Sequence, residues 1–172
     1  MTAVTAPPSL NIRKAYDVLK PVVSRTPLQF HRGLSEKFSC EVYLKREDLQ
    51  VVRSYKIRGA YNLIQSLTPE QRQAGVVCAS AGNHAQGVAF SCKKLDIHGV
   101  IYMPAITPKQ KINQVRMFGG DRIEIVLIGD TFDESQAHAL AFAKAQQRIF
   151  IPPFDHPLIM EGQGTVALEI TE

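Results

Sequence analysis

The sequence predicts an α/β protein in which helices cover a parallel β-sheet. Short runs rich in valine and isoleucine alternate with helix-like patterns over residues 76–151, at close to the repeat length of a β-α-β unit. The composition, with 45% hydrophobic and 21% charged side chains among 172 residues, is typical of a globular chain that can bury a core. Sheets of this kind bind ligands at the carboxyl ends of their strands.

Periodicity, capping residues and helix breakers predict the individual elements. The predicted helices span 9–19, 56–67, 83–95, 108–118 and 132–147, and the predicted strands span 41–46, 76–79, 99–103, 122–128 and 149–151. Ser9 is the expected N-cap of the first helix, and Thr68 with Pro69 is expected to stop the second. In the helix over 132–147 we expect the inward side chains to be Ala137, Leu140, Ala141 and Ala145.

The last residues predict a chain that continues. Residues 164–172 begin a helix that has neither a glycine stop nor a basic last turn. We therefore expect the 172 residues to be the first part of a longer protein. The alternative is a helix that frays at a natural terminus.

Composition and charge argue against several classes of function. The apolar runs are far shorter than the roughly 20 residues that cross a bilayer, and residues 1–9 lack the pattern of a secretory signal, so we expect a cytoplasmic protein. The net charge of +4 comes from dispersed lysine and arginine, which makes nucleic acid a weak candidate partner. The three cysteines and five histidines show no metal-binding spacing, so we predict mostly buried, reduced thiols and no metal site.

A lysine at the start of a predicted helix is the first candidate for chemistry. Lys56 lies in Ser54-Tyr-Lys-Ile-Arg-Gly-Ala60, directly after an extended segment. The positive end of a helix dipole and partial burial disfavour an ammonium group, and a neutral lysine amine can attack an aldehyde to form a Schiff base. The alternative is a solvated lysine on a helix face.

A run of small residues between a strand and a helix is the second candidate. In Ala79-Ser-Ala-Gly-Asn-His-Ala-Gln-Gly87 the main chain can approach a ligand closely, and its N–H groups can hold an anion such as a carboxylate. Gly82 and Gly87 have the spacing of a phosphate-binding loop but lack its lysine, and Asn83 taken alone is explained as a helix N-cap. Gly162-Gln-Gly164 nominally fits a dinucleotide fingerprint, but prolines precede it instead of a strand.

Together the two candidates resemble the fold type II pyridoxal-phosphate enzymes, and specifically the threonine dehydratases (threonine ammonia-lyases). The segments that carry the resemblance are Arg25-Thr-Pro-Leu28, Lys45-Arg-Glu-Asp-Leu-Gln50, Ser54-Tyr-Lys-Ile-Arg-Gly-Ala60, Ser80-Ala-Gly-Asn-His84 and Gly162-Gln-Gly-Thr165. Val52-Arg53 before Ser54 is more similar to the isoleucine-biosynthetic type than to the catabolic one.

The resemblance implies a cofactor, pyridoxal 5'-phosphate, and a set of site residues. Lys56 would form the Schiff base with the cofactor and return as the base that removes the substrate α-proton. Asn83 would hydrogen-bond the phenolic oxygen of the cofactor. The residues that would receive the substrate carboxylate are Ser80, Ala81, Gly82, Asn83 and His84. The reaction implied is the conversion of L-threonine to 2-oxobutanoate and ammonia, the first step of isoleucine biosynthesis.

The resemblance also implies a division into domains. A three-layer small domain of the tryptophan synthase β-like fold would span 54–150, and residues 1–53 and 151–172 would belong to an incomplete large domain. The family's glycine-rich phosphate loop would lie beyond these residues, so we expect an isolated chain to be inactive.

The alternatives to a threonine dehydratase are a serine dehydratase or racemase of the same fold and a non-catalytic truncated homologue. At full length we expect an amino-acid substrate, a homo-oligomer, and neither nucleic acid nor membrane as a partner.

Overall fold

The computed structural model describes residues 10–172. The helices are α1 (Ile12–Leu19), α2 (Arg32–Phe38), α3 (Lys56–Gln65), α4 (Pro69–Ala74), α5 (Asn83–Leu95), α6 (Lys109–Gly119), α7 (Phe132–Ala145) and α8 (Pro157–Thr171). The strands are β1 (Leu28–Phe30), β2 (Tyr43–Lys45), β3 (Val76–Ala79), β4 (Gly99–Met103), β5 (Ile123–Leu127) and β6 (Ile149–Phe150). Short 3-10 turns lie at Glu47–Leu49 and Gly120–Arg122.

The main sheet is parallel and contains four strands in the order β5-β4-β3-β6. Each strand is followed by a helix before the next strand begins, which is the β-α-β connection that joins parallel strands. A separate antiparallel pair, β1 with β2, lies outside this sheet. The predicted α/β class with a parallel sheet is therefore confirmed.

The main sheet separates two hydrophobic clusters, because side chains of β3 and β4 alternate between its faces. On one face Val76 and Ile101 pack with buried side chains of α3, α5 and α6. On the other face Val77 and Val100 pack with α7. Helices on both faces of one sheet make the three layers that the resemblance implies.

The inward face predicted for α7 is wrong. Ala137, Leu140, Ala141 and Ala145 are all exposed, and the buried residues are Ser135, Ala139 and Ala143. The Ser135 hydroxyl donates to the main-chain carbonyl of Ile128 at 2.7 Å, which fixes the rotation of the helix about its axis. Alanines lie on several faces of this helix, so hydrophobicity alone did not identify the buried face.

Helices α1, α3 and α8 begin or end at other residues than the sequence predicts. Ser9 lies outside the described residues, and Asn11 caps α1 by accepting the main-chain N–H of Lys14 at 3.0 Å. Helix α3 ends at Gln65, two residues before the predicted end at 67, and Thr68 instead caps α4. Helices α2 and α4 and strand β1 were not predicted from the sequence. Helix α8 begins at Pro157 instead of residue 164, because proline is favoured in the first turn of a helix.

The structure also describes the cysteines and the length of the apolar helices. Cys78 and Cys92 are buried and Cys40 is exposed, and all three thiols are free. Within residues 10–172 no helix is both long and apolar enough to span a bilayer. The division at 54–150 stays a prediction.

Candidate functional site

Lys56 is the first residue of α3, and its amine contacts the main chain of a distant segment. Its Nζ donates to the carbonyl oxygen of Pro153 at 2.9 Å, and the side chain is half-buried. The amine also lies 5.2 Å from the centre of the Tyr55 ring. Pro153 belongs to the segment that follows β6, so the lysine amine is held against the protein and does not extend into open solvent.

The loop Ser80–His84 lies at the carboxyl end of β3 and leads into α5. The Ser80 main-chain N–H still donates to the Tyr102 carbonyl of β4 at 3.0 Å, and the Ser80 hydroxyl accepts the N–H of Gly82 at 3.2 Å. A β-carbon added at Gly82 would meet no atom of residues 10–172 within 4 Å. The loop therefore has open space beside it at the sheet edge where ligands of parallel sheets bind.

Asn83 is not the N-cap of α5. Gly82 holds that position, and no side chain makes the capping hydrogen bond. Asn83 is exposed at the first position of the helix, so the structural explanation considered for it does not hold. The exposed Asn83 side chain is accessible to a ligand.

Helices α3 and α5 touch at Gly87, and this contact brings the loop close to Lys56. A β-carbon added at Gly87 would lie 3.1 Å from the main-chain carbonyl carbon and oxygen of Lys56 and 3.1 Å from the nitrogen of Ile57. Such distances are tighter than ordinary van der Waals contact. The spacing of Gly87 from Gly82 did not indicate this role, for which the sequence signal is a glycine in the interior of a helix.

His84 is the buried member of the loop, with 4% of its surface exposed. Its Nε2 lies 2.9 Å from the Ile151 carbonyl oxygen, and because a carbonyl only accepts, Nε2 carries the proton. Burial lowers the pKa of His84 to about 4; the bond to Ile151 opposes this shift and the positive charge of Lys56 adds to it. The ring is therefore neutral near pH 7, and among the described residues its Nδ1 has no hydrogen-bond partner.

Two residues beyond Lys56, the fully buried Arg58 is the centre of a charged cluster that the sequence analysis missed. Its guanidinium donates to both carboxylate oxygens of Glu47, at 2.8 and 2.9 Å, and to both of Glu169, at 2.7 and 3.0 Å. Lys45 adds a second cation, with its Nζ 2.6 Å from Glu169. The cluster of Lys45, Glu47, Arg58 and Glu169 joins β2, the turn after it, α3 and α8.

Positive and negative charges balance in the Arg58 cluster. Burial by itself would lower the pKa of Arg58, but the hydrogen bonds to Glu47 and Glu169 outweigh burial and raise that pKa. Burial would likewise raise the pKa of Glu169, but the bonds from Arg58 and Lys45 lower it. Both shifts favour the charged forms of Arg58 and Glu169, and charge-assisted hydrogen bonds fix the start of α3 to α8.

Comparison with known proteins identifies the family. The family model for pyridoxal-phosphate dependent enzymes matches residues 19–172. The chain belongs to this family. It is 58% identical over 160 residues to the biosynthetic L-threonine dehydratase IlvA of Bacillus subtilis, which covers 93% of this chain and 38% of that protein. It is 55% identical to the protein of the same name from Staphylococcus epidermidis, over 99% of this chain and 40% of that protein.

Solved structures share the fold. The processed form of threonine deaminase isoform 2 from Solanum lycopersicum is 39% identical with a TM-score of 0.83, covering 98% of this chain and 50% of that one. Maize serine racemase is 31% identical with a TM-score of 0.86, covering 92% and 47%. The resemblance to fold type II enzymes and threonine dehydratases is confirmed. The chain spans about two fifths of the length of the curated relatives.

The chemistry of the site fits pyridoxal phosphate, the cofactor that the family name states and the resemblance predicted. Lys56 offers an amine for an aldehyde, and the open loop at Gly82 offers main-chain N–H groups for an anion. The Nδ1 of His84 is a buried acceptor that a donor group of a ligand can satisfy. The individual roles of Lys56, Asn83 and the loop residues stay predictions.

Proposed function

We propose that the protein is a threonine ammonia-lyase, which converts L-threonine to 2-oxobutanoate and ammonia with pyridoxal phosphate. The observation that carries this proposal is the Lys56 amine, which is held inside the protein near a small-residue loop at the carboxyl end of β3. Identity of 58% to the Bacillus subtilis threonine dehydratase supports the substrate. As part of the same proposal, the product enters isoleucine biosynthesis.

In this proposal the residues of the chain bind, orient and move a proton. Lys56 would hold the cofactor covalently through its Nζ, and the same amine would accept the α-proton of the substrate. The Asn83 amide would donate to the phenolic oxygen of the cofactor, and the main-chain N–H groups of the loop Ser80–His84 would bind the substrate carboxylate. When bound, pyridoxal phosphate supplies an electron sink for the negative charge that develops at the α-carbon.

A serine racemase or dehydratase of the same fold is the second candidate. The overlay does not favour either candidate, because the TM-score for maize serine racemase is 0.86 and that for tomato threonine deaminase is 0.83. Sequence identity favours the deaminase, at 39% against 31%. We therefore propose threonine as the preferred substrate.

The cofactor site extends beyond these residues in our proposal. The large domain would be formed by residues 1–53, residues 151–172 and a further part of the protein that supplies the phosphate loop. Residues 1–172 alone would then turn over threonine negligibly. The full-length protein would act in the cytoplasm. It would be a homo-oligomer, and sedimentation of the purified protein would measure the number of subunits.

Reductive trapping tests the proposed site. Full-length protein is treated with pyridoxal phosphate, reduced with borohydride and mapped by peptide, and we expect the label on Lys56. Lys56→Ala abolishes labelling and threonine turnover, whereas Lys94→Ala, a matched change at an exposed lysine, leaves both unchanged. Label on a different lysine, or turnover of serine faster than threonine, contradicts the proposal.

A further inference from the structure

We propose that His84 is a positioning residue for Lys56, which it holds through the main-chain segment from Ile151 to Pro153. The inference rests on the proposed function, since it concerns the amine that the function uses. It assigns to the imidazole a role that is separate from carboxylate binding by the main chain of the loop. Hydrogen bonds connect His84 to the Lys56 amine through Ile151 and Pro153.

Ile151 is the anchor of the segment, because both of its main-chain polar groups are bound. Its N–H donates to the Val77 carbonyl of β3 at 2.8 Å, and its carbonyl accepts from Nε2 of His84 at 2.9 Å. Its side chain is fully buried in the core. A single residue thus joins the sheet, the first turn of α5 and the segment that leads to α8.

The link from Ile151 to the amine is short and stiff. Pro152 and Pro153 follow the anchor, and each proline ring fixes its own φ angle and removes one N–H group. The carbonyl of Pro153 therefore has little freedom to move relative to Ile151. Fixing the carbonyl of Ile151 therefore restricts the position of the Pro153 carbonyl.

The Pro153 carbonyl is held from the other side as well. It accepts from Lys56 Nζ at 2.9 Å and from Nε2 of Gln163 at 3.3 Å. Gln163 lies on α8, so the carbonyl is fixed between α8 and the anchor. A lysine side chain has four rotatable bonds, and a fixed acceptor restricts its amine to few of the available rotamers.

Histidine suits this position because it is a neutral donor. The side chain is 4% exposed and lies close enough to Lys56 for the lysine charge to act on it, so a second cation there would repel the amine. The neutral ring offers one N–H, which Ile151 accepts. Loss of that donor leaves a buried carbonyl unpaired and frees the segment that holds Lys56.

The rate of covalent capture of pyridoxal phosphate tests the positioning role. Cofactor-free full-length protein is mixed with pyridoxal phosphate, and capture by Lys56 is followed by borohydride trapping at timed intervals. We expect His84→Phe, which fills the ring volume without a donor, to slow capture about five- to tenfold. His84→Gln keeps an amide donor and restores the rate to within about twofold of the natural protein. His138→Gln, at an exposed histidine on α7, is the matched control and leaves the rate unchanged.

Pro153→Ala keeps the carbonyl at position 153 but makes the segment from Ile151 more flexible, so we expect it to slow capture as well. This variant tests the positioning role even if His84→Phe fails to fold. Nitrogen-15 spectra of the cofactor-free protein provide a readout independent of the cofactor, and we expect His84 to carry its proton on Nε2 at pH 7. A proton on Nδ1, or an unchanged capture rate in both Pro153→Ala and folded His84→Phe, overturns the inference. If Lys56→Ala still captures the cofactor, the proposed function itself is wrong; if it does not, only the role of His84 is in question.

Discussion

Gly87 of α5 packs directly on the main chain of Lys56, at a distance that a side chain could occupy only if the neighbouring main chain shifted. A β-carbon at position 87 would lie 3.1 Å from both the carbonyl carbon and the carbonyl oxygen of Lys56. Both groups are main chain, which cannot move aside as the end of a flexible side chain can. The candidate nucleophile is therefore positioned by a glycine on the neighbouring helix as well as by its own hydrogen bond to Pro153.

Gly87→Ala tests this contact. The added methyl group forces α3 and α5 apart, so we expect the free energy of unfolding to fall by about 1–3 kcal/mol and capture of pyridoxal phosphate to weaken. Chemical denaturation of the cofactor-free protein measures the first effect and equilibrium binding the second. Gly33→Ala is the control, because its β-carbon would meet no atom closer than 3.7 Å. Equal stability of Gly87→Ala and the natural protein would show that the helices are not in tight contact.

The buried cluster around Arg58 predicts a large loss of stability when its charge is removed. Arg58→Met leaves the buried carboxylate of Glu169 and the partly buried carboxylate of Glu47 with Lys45 as the remaining cation of the cluster. Breaking a buried ion pair by removing one partner costs about 3–5 kcal/mol, which chemical denaturation detects as a lower free energy of unfolding.

The exposed pair of Arg32 and Glu36 provides the matched control for Arg58. Their charged atoms are also close, at 2.7 Å, but both side chains are largely in solvent. Arg32→Met is expected to change the free energy of unfolding by less than about 1 kcal/mol. A similar small effect for both arginines would contradict the view that Arg58 fixes α3 to α8.

Local patterns predicted the sheet and the loop well. The strand Val76–Ala79, the helix Asn83–Leu95 and the strand Gly99–Met103 occur at the predicted residues, because a run of β-branched side chains and a glycine-rich junction are local signals. The buried face of α7 was not predictable in this way. It is set by the hydrogen bond of Ser135 to Ile128, and that bond depends on how the chain turns before the helix.

Local sequence patterns could not predict the hydrogen-bond partners of the site residues, because those partners are far away in sequence. Arg58 and Glu169 are 111 residues apart in sequence, and His84 and Ile151 are 67 apart. Lys56 was identified by its motif, but its acceptor, Pro153, is 97 residues away and offers only a main-chain carbonyl. Nothing in the composition of a segment indicates which carbonyl will be free to accept a hydrogen bond.

The pKa of His84 makes stability depend on pH in a defined direction. Burial lowers this pKa from about 6.5 to about 4 in the folded protein, whereas the unfolded chain keeps the ordinary value. The unfolded state therefore binds a proton more readily between these values. The contribution of neutral His84 to the free energy of unfolding is fully present above the unfolded pKa of about 6.5 and is lost as the pH falls towards 4. From one group we expect the free energy of unfolding to decrease by about 2 kcal/mol between pH 7 and pH 5.

Denaturation of the cofactor-free protein at pH 7, 6 and 5 separates this effect from that of the carboxylates. The pKa of Glu169 is lowered from 4.5, so its contribution is present above that value and is lost only at lower pH. His84→Gln removes the titrating ring and flattens the dependence between pH 5 and pH 7, while His138→Gln, at an exposed histidine, leaves it unchanged. A slope that His84→Gln does not reduce would mean that the ring is charged in the folded protein. The neutral donor to Ile151 would then have to be reconsidered, because a charged imidazole would lie beside the Lys56 amine.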